Sequence, residues 1–158
     1  MERAEEEKDL LRKLGLETIY TAKGHFKAGD LRRWLVGVAV WGGVVASLFD
    51  ILNLIADDRL FDGLGLLFSM ALLIWYQNSG EKEETEHHKA AELFLELHMM
   101  IRDAYFGVDD TETKALSERV RKLNKSKRPK IPRLAYKMAR KAITKEDSET
   151  DNWFYEKA

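Results

Sequence analysis

Two stretches without a charged side chain, Trp34 to Phe49 and Gly63 to Gly80, constrain this chain more than anything else in it. A turn of about six residues containing Asp57, Asp58, Arg59 and Asp62 separates them. At a helical rise of 1.5 Å per residue the first stretch is about 24 Å long, and continuing it through Ile51, Leu52, Leu54 and Ile55 to Ala56 gives about 34 Å, enough to cross a hydrocarbon core. The second stretch is shorter but can begin at Leu60 or Phe61. Runs below about 18 apolar residues also occur as buried helices of soluble cores. These runs, however, are apolar on every face and are bracketed by Trp34, Trp41, Trp75 and Tyr76, three of which stand where interfacial aromatics anchor a span. The reading is a transmembrane hairpin over 34–80.

The flanks set its expected orientation. The turn holds one basic residue, whereas Lys23, Lys27, Arg32, Arg33, Lys82 and Lys89 surround the other ends, so both termini are expected in the cytoplasm. Met1 to Arg33 contain no continuous apolar region, so insertion is expected to use the internal spans. A length of 158 residues fits one small unit with a membrane part and a polar part. With no cysteine, disulfides, thiolate metal sites and cysteine catalysis are excluded.

The polar regions read as helices. Leu11, Gly15, Ile19, Ala22 and Phe26 form one stripe of an N-terminal helix over 1–33, which Gly29 interrupts, with Asp30 as N-cap of the first span. No breaker stands between Glu81 and Phe106, so the second span is expected to continue into the cytoplasm as one rod with a stripe of Ala90, Phe94, Leu97, Ile101 and Ala104. Gly107 to Asp110 end it, and Asp110 can cap a helix carrying Leu116, Val120 and Leu123. Pro132 is placed to be the first residue of a last helix carrying Leu134, Ala135, Met138 and Ala142. The cytoplasmic helical region covers 81–145, and 146–158 read as an acidic tail broken by Trp153, Phe154 and Tyr155. The expected fold class is an all-α membrane protein.

Little in the chain suggests chemistry. Glu84 and His87 form a Glu-x-x-His pair, half of the constellation that holds two metals in carboxylate bundles, but the other half is missing. No catalytic residue, metal ligand set or cofactor is therefore expected. His25, Phe26, His87, Phe94, Leu97 and Ile101 read instead as residues of a cytoplasmic helix interface. From Lys114 to Lys145 stand thirteen lysines and arginines against the single acid Glu118. That block can fold back on the acidic face of Glu81, Glu83, Glu84, Glu86, Glu92 and Glu96, can meet anionic lipid headgroups, or can bind nucleic acid or a nucleotide, with nucleic acid least favoured.

The first span carries small residues four apart: Ala39 with Gly43, Gly42 with Ala46, and Gly43 with Ser47. Such spacing lets helices approach closely in lipid, where packing rather than apolar burial drives association, so these are candidate oligomer contacts. Gly43, Ala46, Asp50, Asn53 and Asp57 share one face. Asp50 can simply reach the headgroups, or Asp50, Asn53 and Asp57 can line a wet lumen between subunits.

Tyr20-Thr-Ala-Lys-Gly-His-Phe26 before the first span, and Glu84-Thr-Glu-His-His-Lys-Ala-Ala-Glu-Leu-Phe94 with Glu96-Leu-His98 after the second, make the chain resemble the SLATT group over roughly residues 10–143. These are bacterial two-transmembrane proteins found beside nucleotide-signalling defence genes. The resemblance implies an antiphage, abortive-infection effector of the inner membrane that assembles with itself and depolarises or perforates the bilayer when a nucleotide-signalling or sensor partner detects phage. It carries over no catalytic or ligand-binding residue. A membrane-tethered adaptor that recruits a cytoplasmic partner and a regulated ion channel are the alternatives.

Overall fold

The computed structural model describes residues 2–51, 67–71, 73–75, 77–78, 81–108, 111–146 and 153–154, with the side chains of 2–4, 46–51 and 144–146 outside the description. The chain is helical: α1 (Glu2–Ile51), α2 (Glu81–Tyr105), α3 (Thr113–Lys125) and α4 (Arg133–Glu146), together with helical residues at 67–71 and 73–75. Among the described residues there is no strand.

Helix α1 runs through Gly29 and Asp30 without a break, where the sequence predicts an interruption and a cap. One interior glycine costs a helix only about 1 kcal/mol relative to alanine. Ala28 and Gly29 are buried, and no proline precedes Pro129, so packing outweighs that cost. The rod expected from the second span onward crosses positions 79–80, which lie outside the described residues. Gln77 and Asn78 form a π-helical turn, and α2 is described from Glu81.

The chain divides into two compact units, Met1–Ala28 with Glu86–Ala158, and Gly29–Thr85. In the first unit Leu11 and Leu14 of α1, Leu97 and Ile101 of α2, and Leu116 and Val120 of α3 make the core, with Met100, Ala104, Tyr105, Leu123 and Trp153 packed around it. Helix α2 ends in a left-handed turn. Gly107, at φ 72°, donates its N–H to Ala104 O at 3.1 Å, and the Val108 N–H reaches Asp103 O at 2.8 Å. Helix α3 starts later than the expected Asp110 cap. Its N-cap is Glu112, whose carbonyl accepts the N–H groups of Ala115 and Leu116 while its side chain makes no capping bond, and Asp110 lies outside the described residues. Pro132 is likewise one position outside α4, its carbonyl accepting the Tyr136 N–H at 3.1 Å.

The inward stripe of α4 is Ala135, Ala139 and Ile143, while Leu134 and Met138 are exposed. Small residues face inward because the opposing surface is close. Ile131 lies 3.1 Å from where a Cβ on Gly24 would stand, with Tyr136 behind it.

Trp153, expected in a polar tail, covers Gly15. Its ring lies 4.9 Å from that of Tyr105, 5.6 Å from His98 and 6.3 Å from Phe106. A Cβ at Gly15 would meet Trp153 Cζ2 at 2.9 Å and Cη2 closer still. Gly15→Ala should therefore destabilise the protein by about 1–3 kcal/mol through overpacking. In a Trp153→Ala background the same change should be neutral or stabilising, because alanine is the better helix former. Thermal unfolding of the four variants as a double-mutant cycle checks this, and equal effects in both backgrounds would remove Trp153 from the Gly15 surface.

In the second unit, α1 and the helical residues 67–75 meet at Gly43, where an added Cβ would lie 3.2 Å from Ser69 Oγ. Arg32 pairs with Glu83 and stacks its guanidinium over Trp75 at 5.8 Å, and Arg33 reaches Glu84 at 4.0 Å. The acidic start of α2 is thus met by arginines of α1. The fold-back of the basic segment rests instead on the apolar pair Leu116 and Val120.

Candidate functional site

A line of histidines on the buried faces of α1 and α2 is the chemically distinctive part of the first unit. His25 follows Leu11, Leu14, Thr18 and Ala22 down the inward stripe of α1, and His87 and His98 flank Ala90, Ala91, Phe94 and Leu97 on α2. His25 and His87 have no exposed surface. Their Nδ1 atoms are 2.9 Å apart, so one ring carries Nδ1–H and donates to the bare Nδ1 of the other. Phe94 stacks on His25 at 6.1 Å and 15°, and the Arg128 guanidinium covers its ring at 4.7 Å. Arg128 is held by Asn124 Oδ1 at 2.8 Å, and Asn124 in turn donates to Glu17 at 2.6 Å.

Burial first, then the neighbouring His87 and Arg128 charges, lower the His25 pKa from 6.5 to about 4. Neutral imidazole is therefore the resident form at physiological pH. His25 Nε2 and Arg128 Nη1 are buried without a hydrogen-bond partner among the described atoms. Eleven residues beyond His87 on α2, His98 Nδ1 lies 3.0 Å from the Gly15 carbonyl and 3.3 Å from Thr18 Oγ1. Burial is the main cause of its lowered pKa, opposed by the Gly15 hydrogen bond. Thr18 and Thr21 return their hydroxyls to α1, bonding Leu14 O and Glu17 O at 2.8 Å.

Of the interface candidates, His25, His87 and Phe94 come together, and Leu97 and Ile101 belong to the adjoining core. Phe26 is half-buried with its ring 5.8 Å from His88. Among the small residues, Ala39 is buried, Gly43 is occupied by Ser69, and Gly42 opens to free space. The side chains of Ala46, Ser47 and Asp50, and all of Asn53 and Asp57, lie outside the described residues. Sequence reasoning named no partner for His98 or Trp153. The acceptor of His98 is a backbone carbonyl, which no residue letter announces.

The buried histidines are closed to substrate, and among the described residues no group of three or more His, Asp or Glu is placed to hold a metal. What the arrangement can do is pin two helices together through neutral polar contacts. On the surface, α3 borders an open groove of about 740 Å³ where Arg119, Arg121, Lys122 and Lys125 stand against Glu118, a surface suited to anions.

Among the described residues no helix is long and apolar enough to cross a membrane. The apolar run from Trp34 continues past Val45 into positions whose side chains are outside the description. No family model, no curated protein and no solved structure matches the chain.

Proposed function

We propose that this chain is a homo-oligomeric membrane effector whose 34–80 region enters the bacterial inner membrane with both termini cytoplasmic and perforates or disrupts it. The observation that carries this reading is the amount of bare apolar surface on the second unit. Trp41 is 70% exposed, Phe68 67%, Leu67 64% and Trp34 63%, with Leu35, Val38, Val40, Val44, Val45, Met70, Ile74 and Trp75 also uncovered. Apolar surface of this extent is stabilised by lipid or by another protein surface, not by water. Arg32, Arg33, Trp34 and Trp75 group basic and aromatic side chains as at a membrane–water boundary. The antiphage role and the nucleotide-signalling partner rest on the resemblance to the SLATT group.

The polar end of the first stretch provides the test. Asp50→Leu with Asn53→Leu makes the span more apolar, so the variant should insert and assemble at least as well as the parent. Its release of a trapped dye from liposomes should fall severalfold, because the wet path loses its polar lining. If the double variant assembles and leaks as strongly as the parent, these residues line no lumen, and bilayer deformation or a tethered adaptor takes its place.

A further inference from the structure

We propose that the first unit binds a second copy of itself through two matched strips, an acidic one on α2 and a basic one on α4. This rests on the homo-oligomeric reading above and gives it a contact outside the apolar hairpin. On α2, Glu92, Leu95, Glu96 and Met99 are all exposed and follow one another at steps of three, one and three. On α4, Leu134, Lys137, Met138 and Lys141 are all exposed and follow the same steps. Residues three and four apart share a helix surface, so each strip is a patch of two charges and two apolar side chains. Laid antiparallel, Glu92 opposes Lys141, Leu95 opposes Met138, Glu96 opposes Lys137 and Met99 opposes Leu134.

Both strips lie opposite the buried stripes of their helices, Ala90–Phe94–Leu97–Ile101 and Ala135–Ala139–Ile143, and so point away from the core. None of the four charges joins an ion pair within the chain among the described residues. Each strip lacks within the chain the complement that the other provides, and charge opposition selects the pairing and penalises like against like. Copies joined through one such contact each form a ring if the rotation closes and an open filament if it does not, and a two-fold pair forms where both strips of each copy meet their complements at once. Confinement in the plane of a membrane raises the effective concentration at which so small a contact operates.

The test uses the full chain in non-ionic detergent, with particle mass read by light scattering at low salt. The parent should have a mass several times the 18.3 kDa of one chain. Glu92→Lys with Glu96→Lys makes both strips basic, and Lys137→Glu with Lys141→Glu makes both acidic. Each variant alone should fall to the mass of one chain while keeping its helical circular dichroism, and an equimolar mixture of the two should regain the parent mass. Raising salt from 0.1 M to 1 M, which shortens the screening length from about 10 Å to about 3 Å, should dissociate the parent, a readout that needs no variant to fold. The proposal is overturned if the parent is a single chain, if either variant keeps the parent mass, or if the mixture does not reassemble. Dye leakage measured on the same samples separates the two readings: parent assemblies that obey the charge swap but do not leak sink the membrane-disrupting function and leave the interface standing.

Discussion

Phe94→Ala should destabilise the first unit by about 3–5 kcal/mol, the range for truncating a buried phenylalanine when its surroundings cannot collapse. Phe94 has no exposed surface and is enclosed by His25 on one side and the Arg128 guanidinium on another. Both neighbours are poorly suited to move into the void. His25 is tied to His87, and Arg128 is tied through Asn124 to Glu17. The thermal midpoint followed by circular dichroism should fall by roughly 10 °C, whereas Leu93→Ala on the exposed side should remain within about 0.5 kcal/mol of the parent. Similar losses for both would show that Phe94 is not enclosed.

The stripes that enclose Phe94 were legible as periodicity. Leu11, Gly15, Ile19 and Ala22 on α1 and Ala90, Phe94, Leu97 and Ile101 on α2 are buried as their spacing predicts, while Phe26 and Ala104 at the stripe ends are half-buried. On α4 periodicity does not decide, because apolar residues occupy two separate rows, Leu134–Met138 and Ala135–Ala139–Ile143. Tertiary proximity chose the smaller row, since Ile131 already crowds Gly24. Trp153 was invisible for another reason: a single aromatic cluster in an acidic segment has no period. The polar contacts were half legible. His25 and His87 could be placed at an interface, but that they meet each other depends on the depth at which α1 and α2 cross, and His98 answers a backbone carbonyl.

Acid should weaken the same region. Unfolded, His25 takes its proton near 6.5, and folded only near 4, so between these values the unfolded chain binds more protons. The stabilisation from keeping His25 neutral is complete above pH 6.5 and is lost as the pH falls toward 4, a change of about 3 kcal/mol at about 1.4 kcal/mol per pKa unit. His98, lowered mainly by burial, acts in the same direction. The thermal midpoint should therefore decline from pH 7 to pH 5, before most carboxylates titrate. His25→Gln, which keeps a polar group but cannot titrate, should show a flatter decline. A parent midpoint that is level or rises over that interval, or a glutamine variant with an unchanged slope, would contradict the assignment.

The two histidine contacts also govern how α1 and α2 may slide. The buried residues of the two helices include the small Ala22, Ala28, Ala90 and Ala91, and small side chains oppose a shift of one turn only weakly. His25 on His87, and His98 on Gly15 and Thr18, fall at two levels of the same seam. A slip of about 5.4 Å would break both at once and leave buried imidazoles facing hydrocarbon. They act as detents in a ratchet: the alanines allow motion along the seam, and the histidines permit it to stop at one notch only.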